Sequence, residues 1–101
     1  MKKILLVCAG GMSTSILANK MKAAAKEKVL AIEVDALGVL QCESVIDTVD
    51  IVLIGPQVRY QKPQVDELVN GRVPVEVIDM KLYGTMNGKA VLEGVLKTLG
   101  I

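Results

Sequence analysis

The chain has 101 residues, 51% of them hydrophobic, with twelve Lys and Arg against eleven Asp and Glu for a net charge of +1. That length lets one core bury about two thirds of the unfolded surface, so residues 1–101 are expected to form a single domain, and the even charge argues against a broad basic face for nucleic acid. With no His, and with Cys8 and Cys42 as the only cysteines, the chain cannot assemble a zinc quartet, a CxxC pair or an imidazole-driven triad, so no metal or other cofactor is expected.

Lys3-Ile4-Leu5-Leu6-Val7 is an apolar run that stops at a glycine loop, the pattern of a central parallel strand covered on both faces. It is far too short for a signal segment or a membrane span, which predicts a cytoplasmic chain without direct membrane insertion. From Ser13 to about Lys28, Leu17, Met21, Ala24 and Ala25 follow a helical stripe while Asn19, Lys20, Lys22 and Lys26 lie elsewhere. Val29 to Leu37 reads as a second strand, Ile32, Val34 and Ala36 alternating with Glu33 and Asp35, as on an edge strand with one wetter face. Gly38 to Asp47 holds a short helix that opens near Gln41 or Cys42 and ends before Asp50.

Ile51-Val52-Leu53-Ile54 is a third strand, stopped by the turn Gly55-Pro56-Gln57. Pro63 to Asn70 reads as a helix with Val65, Leu68 and Val69 inward, closed by Asn70-Gly71. Val73 to Ile78 is the fourth strand; Pro74 removes one ladder donor, so the strand is expected to lie at the sheet edge or to start there. Asp79 to Gly84 is expected as a loop on the same rim, and Met86 to Leu99 as an amphipathic helix with Val91, Leu92, Val95, Leu96 and Leu99 inward. Four strands alternating with helices predict an α/β three-layer sandwich: a four-stranded parallel sheet in the order 2-1-3-4, helices on both faces, wound as in flavodoxin. Its switch point lies between strands 1 and 3, where Cys8 would face Gly55-Pro56-Gln57.

Val7-Cys8-Ala9-Gly10-Gly11-Met12-Ser13-Thr14-Ser15 joins the first strand to the first helix and carries the chemistry. Gly10 and Gly11 lack Cβ atoms, so the backbone can turn through positive φ and bring several N–H groups onto one anion. Ser13, Thr14 and Ser15 are N-cap residue types, and the helix they open directs its positive dipole end at the loop. Ala9 to Ser15 are therefore the expected phosphate cradle, a P-loop in the broad sense, with Cys8 at its focus. Helix N-termini lower a cysteine pKa from about 8.5 to roughly 3.5–7.5, so Cys8 is the expected nucleophile without a base from its own chain.

A cysteine that ends an apolar strand is otherwise a small buried hydrophobe; the glycine pair and the Ser-Thr-Ser run favour the reactive thiol. Cys42 follows no glycine loop and neighbours Glu43 and Asp47, which disfavour a thiolate, so it is assigned no chemistry. Cysteine phosphatases and arsenate reductases of the low-molecular-weight type use Cys, five residues, then an Arg that clamps the transferring group. Here that position is Thr14 and no Arg precedes Arg59, so the expected product is a phosphocysteine that persists until an acceptor arrives. Such a phosphatase or reductase is the alternative enzyme reading, and an anion-binding regulatory domain the non-enzymatic one.

Cys8-Ala9-Gly10-Gly11-Met12-Ser13-Thr14-Ser15, Leu53-Ile54-Gly55-Pro56-Gln57-Val58, Val77-Ile78-Asp79 and Leu82-Tyr83-Gly84 occur in that order along the chain. Over essentially its whole length the sequence resembles the enzyme IIB component of the bacterial phosphoenolpyruvate-dependent sugar phosphotransferase system, in its lactose, cellobiose and chitobiose group. The resemblance implies a phosphoryl carrier and transferase. A phosphohistidine of the IIA component would load Cys8, and the phosphocysteine would pass the group to a sugar held by the membrane-embedded IIC component. It further implies that the amides from Ala9 to Ser15 hold the phosphoryl oxygens, and that Gly55, Pro56, Gln57 and Tyr83 form a partner-facing rim. The sugar would be a disaccharide such as cellobiose, chitobiose or lactose, and membrane association would come only through the transporter partner.

Overall fold

A computed structural model describes residues 2–8, 12–38 and 43–100, and of residues 8, 12–14 and 43 the backbone alone. Strands β1 (Lys2–Cys8), β2 (Ile32–Gly38), β3 (Ile51–Ile54) and β4 (Val75–Val77) form a sheet in the order β2-β1-β3-β4 with every neighbouring pair parallel. Helix α1 (Met12–Glu27) follows β1, a 3₁₀ helix (Glu43–Thr48) follows β2, and a second 3₁₀ helix (Pro56–Gln61) leads from β3 into α2 (Lys62–Val69). After β4 come α3 (Met80–Gly84) and α4 (Gly88–Leu99). The flavodoxin-like order expected from the sequence is the order found.

Strand side chains alternate between faces, so the unbroken apolar runs of β1 and β3 each feed two cores. Ile4 and Leu6 pair in register with Ile51 and Leu53 and pack with Val34 against Leu17 and Met21 of α1 and Val91 and Leu92 of α4. Leu5 and Val7 pair with Val52 and Ile54 on the other face, against Ile46, Val58, Val65 and Val69 from the 3₁₀ helices and α2. Burial of each such aliphatic side chain contributes about 1.5–3 kcal/mol, and Ile4 to Val7 are all buried. That makes β1 the anchor of both layers. The stripe expected on α1 is the buried stripe found: Leu17, Met21, Ala24 and Ala25 face inward.

Four elements differ from the sequence reading by more than a residue or in kind. β2 begins at Ile32 rather than Val29, because α1 ends in a tight turn in which Val29 adopts φ 57° and the Leu30 amide donates to the Ala25 carbonyl at 2.9 Å. β4 is cut from 73–78 to Val75–Val77. Pro74 contributes only its carbonyl, which accepts from the Val52 amide at 3.0 Å, and β4 lies at the sheet edge as Pro74 predicted. The loop expected over 79–84 is instead the short helix α3. Asp79, extended at φ −58° and ψ 133°, caps it by accepting from the amides of Lys81 at 2.8 Å and Leu82 at 3.2 Å. α4 starts at Gly88 rather than Met86, since Met86 turns to φ 52° and Asn87 caps the helix by accepting from the Ala90 amide at 3.1 Å.

Gly88 is where α4 meets α1. A Cβ there would stand 2.7 Å from the Lys20 carbonyl carbon and 2.7 Å from the Met21 amide nitrogen, so no side chain fits between the two backbones. The helix that carries the first loop is thereby braced by the last helix of the chain.

Candidate functional site

The site is built at the carboxyl ends of the strands, on both sides of the β1/β3 switch point. Cys8 is the last residue of β1 and stands in register with Gly38 of β2. On the other side, Val7 is in register with Ile54, and the Gly55 amide donates to the Val7 carbonyl at 3.0 Å. β1 and β3 are thus joined by hydrogen bonds to the last residue before the cysteine.

Gly55 lies in van der Waals contact with three parts of the chain. A Cβ on it would stand 3.4 Å from Gln57 Oε1, 3.7 Å from Tyr83 Cε2 and 3.7 Å from the Val7 carbonyl oxygen. The turn after β3, the helix after β4 and the end of β1 therefore converge on one point, an arrangement that strand order and register impose and that adjacency in sequence does not. Gly55, Pro56 and Tyr83 are buried, and Tyr83 belongs to the apolar core under α4. Of the four residues expected as a partner-facing rim, Gln57 alone is exposed. The rim expectation is narrowed accordingly: Tyr83 is a packing residue beneath Gly55, because α3 turns its ring inward where a loop was expected.

Of the expected cradle, Ala9, Gly10 and Gly11 lie outside the described residues, as does Cys42. Met12, Ser13, Thr14 and Ser15 form the first turn of α1, a helix of 16 residues whose first turn contains no acidic side chain. Its positive end is therefore not neutralised from within. Only three residues separate Cys8, at the end of β1, from Met12, at the start of α1. Among the described residues no group of three or more His, Cys, Asp or Glu side chains is arranged to hold a metal ion.

Residues the sequence reading passed over stand around this edge. Ile16, Tyr60, Val77 and Met80 are large apolar side chains left exposed on α1, the second 3₁₀ helix, the end of β4 and the start of α3. Tyr60 offered a signal, since an aromatic beside Arg59 and Gln61 breaks the polar character of a surface turn. Met80 offered none, because its segment read as loop.

Strand order, two covered faces and a Cys-ended first strand running into a helix define a parallel α/β protein of the cysteine-loop kind. The profile of the family described as "PTS system, Lactose/Cellobiose specific IIB subunit" matches residues 3–94, and the chain belongs to that family. It is 41% identical over 100 residues to the oligo-beta-mannoside-specific EIIB component of Bacillus subtilis, covering 98% of this chain and 97% of that one. It is 38% identical over 97 residues to the galactose-specific EIIB component of Lactococcus lactis, covering 90% of each. The solution structure of a cellobiose-specific IIB component from Borrelia burgdorferi superposes with a TM-score of 0.76 at 39% identity, over 91% of this chain and 85% of that one. The chain is accordingly a phosphotransferase component that acts in phosphoryl transfer during sugar uptake. Among the described residues no helix is long and apolar enough to cross a membrane.

Proposed function

We propose that Cys8 is the phosphoryl acceptor and donor of this chain. One observation carries the reading: β1 ends at Cys8, and after three residues α1 opens with a first turn that holds no acidic residue. In the first step the Cys8 thiolate attacks the phosphorus of a phosphohistidine on the IIA component in line with the leaving nitrogen. The S–P bond forms as the N–P bond breaks, and the imidazole departs with the bonding pair. The amides of Ala9 to Ser15 take the phosphoryl oxygens, as helix N-termini and glycine loops do. In the second step a hydroxyl of the sugar held by the IIC component attacks phosphorus and its proton passes to a base of that protein. The S–P bond breaks and Cys8 leaves as thiolate, a better leaving group than an alkoxide.

The absence of His from the chain fits this division of labour, since the donor imidazole belongs to another protein. Thr14, standing where a hydrolytic clamp would place Arg, supports relay over hydrolysis. The names of the relatives span oligo-beta-mannosides, galactose and cellobiose; for this chain we assign a disaccharide such as cellobiose, chitobiose or lactose. The test is incubation with phosphorylated IIA component, followed by mass analysis of the peptide that bears Cys8. A single phosphoryl group on that cysteine is expected. Phosphate found on any other residue, or rapid release of inorganic phosphate from an aryl phosphate, would replace the relay with another chemistry.

A further inference from the structure

The even charge balance of the chain conceals a division between its two helical layers. Helices α1 and α4 pack side by side at Gly88 and, with the turn after α1, carry Lys20, Lys22, Lys26, Lys28, Lys89 and Lys97 against Glu27 and Glu93, six lysines to two acids and a net of +4. The opposite layer, formed by the two 3₁₀ helices and α2, carries Arg59 and Lys62 against Glu43, Asp47, Asp66 and Glu67, a net of −2. The flanks keep this sign. Glu76 lies beside α4, accepting from the Thr98 hydroxyl at 3.2 Å, and counting it leaves the basic layer at +3. Asp79 and Lys81 cancel at α3, and Lys2 pairs with Asp50 at the amino end. Glu33 and Asp35 lie on the face of β2 away from Val34, toward the acidic layer.

These lysines are available to a partner. All six are exposed, and only Lys28 is paired, with Glu93 at 3.5 Å. Lys20, Lys22, Lys26, Lys89 and Lys97 make no ion pair among the described residues, nor does Glu27. Lys22 and Lys26 are i, i+4 neighbours on the exposed side of α1. At the end of that helix stands Val29, 91% exposed with φ 57°. A β-branched residue is strained in that conformation, where glycine or asparagine is usual. Strain kept at an apolar position that faces solvent points to a contact made outside the chain.

We propose that the α1/α4 layer rests on the anionic lipid surface of the membrane at which the chain works, its lysines among the headgroups and Val29 at the acyl boundary. Charge complementarity selects the occupant. Lysine ammonium groups on long stems are drawn to a negatively charged leaflet without directional bonding, and an exposed apolar side chain beside them adds the shallow contact of an interfacial helix. A nucleic acid, the other common polyanion, is gripped by arginine forks and stacking aromatics, and α1 and α4 contain neither residue type. The function agrees, since sugar uptake takes place at a membrane. Because α1 runs from the carboxyl edge of the sheet to the amino edge, a chain lying on this layer keeps the end of β1 open at its side. The lipid contact is additional to any made through the transporter, and it raises the local concentration of the chain at its acceptor.

The experiment sediments the intact chain with vesicles of equal parts phosphatidylglycerol and phosphatidylcholine at low ionic strength, and with vesicles of phosphatidylcholine alone. Binding to the first and not to the second is expected, falling as salt is added. Lys22→Gln/Lys26→Gln is expected to weaken binding about 25-fold, near fivefold for each cation withdrawn from the surface. Val29→Ser is expected to weaken it about fourfold, the equivalent of one methylene taken out of the acyl boundary. Arg59→Gln/Lys62→Gln removes the same two charges from the acidic layer and is expected to bind like the parent. Glutamine keeps the helix propensity of lysine and arginine, so both double variants should retain the parent's urea midpoint. Equal losses in the two double variants would reduce the effect to net charge and overturn the proposal. Absence of binding to the anionic vesicles overturns it too, as does retention of single-stranded RNA in their place. Cys8→Ser is expected to bind vesicles as the parent does, so a failure of the relay and a failure of the lipid contact are seen separately.

Discussion

The two ends of the parallel sheet are finished in opposite ways. At the amino end the Lys3 amide donates to Asp50 Oδ2 at 2.8 Å, the Asp50 amide donates back to the Lys3 carbonyl at 2.8 Å, and the Lys2 ammonium reaches the same carboxylate. Lys3 also pairs with Glu33, and Lys28 with Glu93, so strands and helices are tied there by contacts internal to the chain. At the carboxyl end Arg59 and Lys81 have no such partners among the described residues, and four large apolar side chains face solvent. A protein can leave one end of a sheet unfinished for partners only if the other end holds register without them.

The largest effect should come from the unfinished end. Cys8→Ser is expected to abolish phosphoryl transfer while the melting temperature stays close to that of the parent, because an alcohol is scarcely ionised at neutral pH and its volume is similar; transfer that survives would remove Cys8 from its role. Gly88→Ala tests the brace behind that end. Its methyl would stand 2.7 Å from α1 backbone atoms, so overpacking should cost about 1–3 kcal/mol, read as a lower midpoint in urea. Asp50→Ala strikes the sealed end, where it removes a part-buried acceptor from the Lys3 amide. A loss of about 1–2 kcal/mol is expected, with the transfer rate constant of the folded fraction unchanged; a slowed transfer step would show that the two ends are not independent.

The smallest effect should have the opposite sign. Val29 holds φ 57° with a β-branched side chain almost wholly in solvent. Val29→Gly relieves that conformation and should stabilise the chain by about 0.5–1 kcal/mol, raising the melting temperature by a few degrees without touching transfer. Cys42→Ser should change neither stability nor transfer measurably, and a slower loading of Cys8 in that variant would give the second thiol a part it is not assigned here.

The legible parts of the fold were those written in local periodicity. The unbroken apolar runs of Ile4 to Val7 and Ile51 to Ile54 announced strands covered on both faces, and both are buried throughout. Pro74 announced a strand at the sheet edge or beginning there, and β4 does both; Asn70-Gly71 announced the end of α2, where both residues adopt left-handed φ of 52° and 75°. α3 was missed because five residues make too short a pattern for helical spacing, and because Asp79 reads equally well as a turn residue or as a cap until its carboxylate is seen to accept two amides. The rim was misjudged for a related reason. A tyrosine in an expected loop was expected to face partners, and a single helical turn was enough to fold Tyr83 beneath Gly55.

Order along the chain by itself determined which segments are strands, which faces of the long helices are apolar, and that a thiol, a glycine pair and hydroxyl residues follow one another between β1 and α1, since these are consequences of nearest-neighbour geometry and side-chain type. Only the tertiary structure decided that Gly55, Gln57 and Tyr83 meet at the end of β1, that Gly88 wedges α4 against α1, and that Ile16, Tyr60, Val77 and Met80 surround one edge while the opposite edge is closed. The physical reason is that register and crossover handedness bring distant segments together, and burial of the two cores then chooses which apolar residues remain outside.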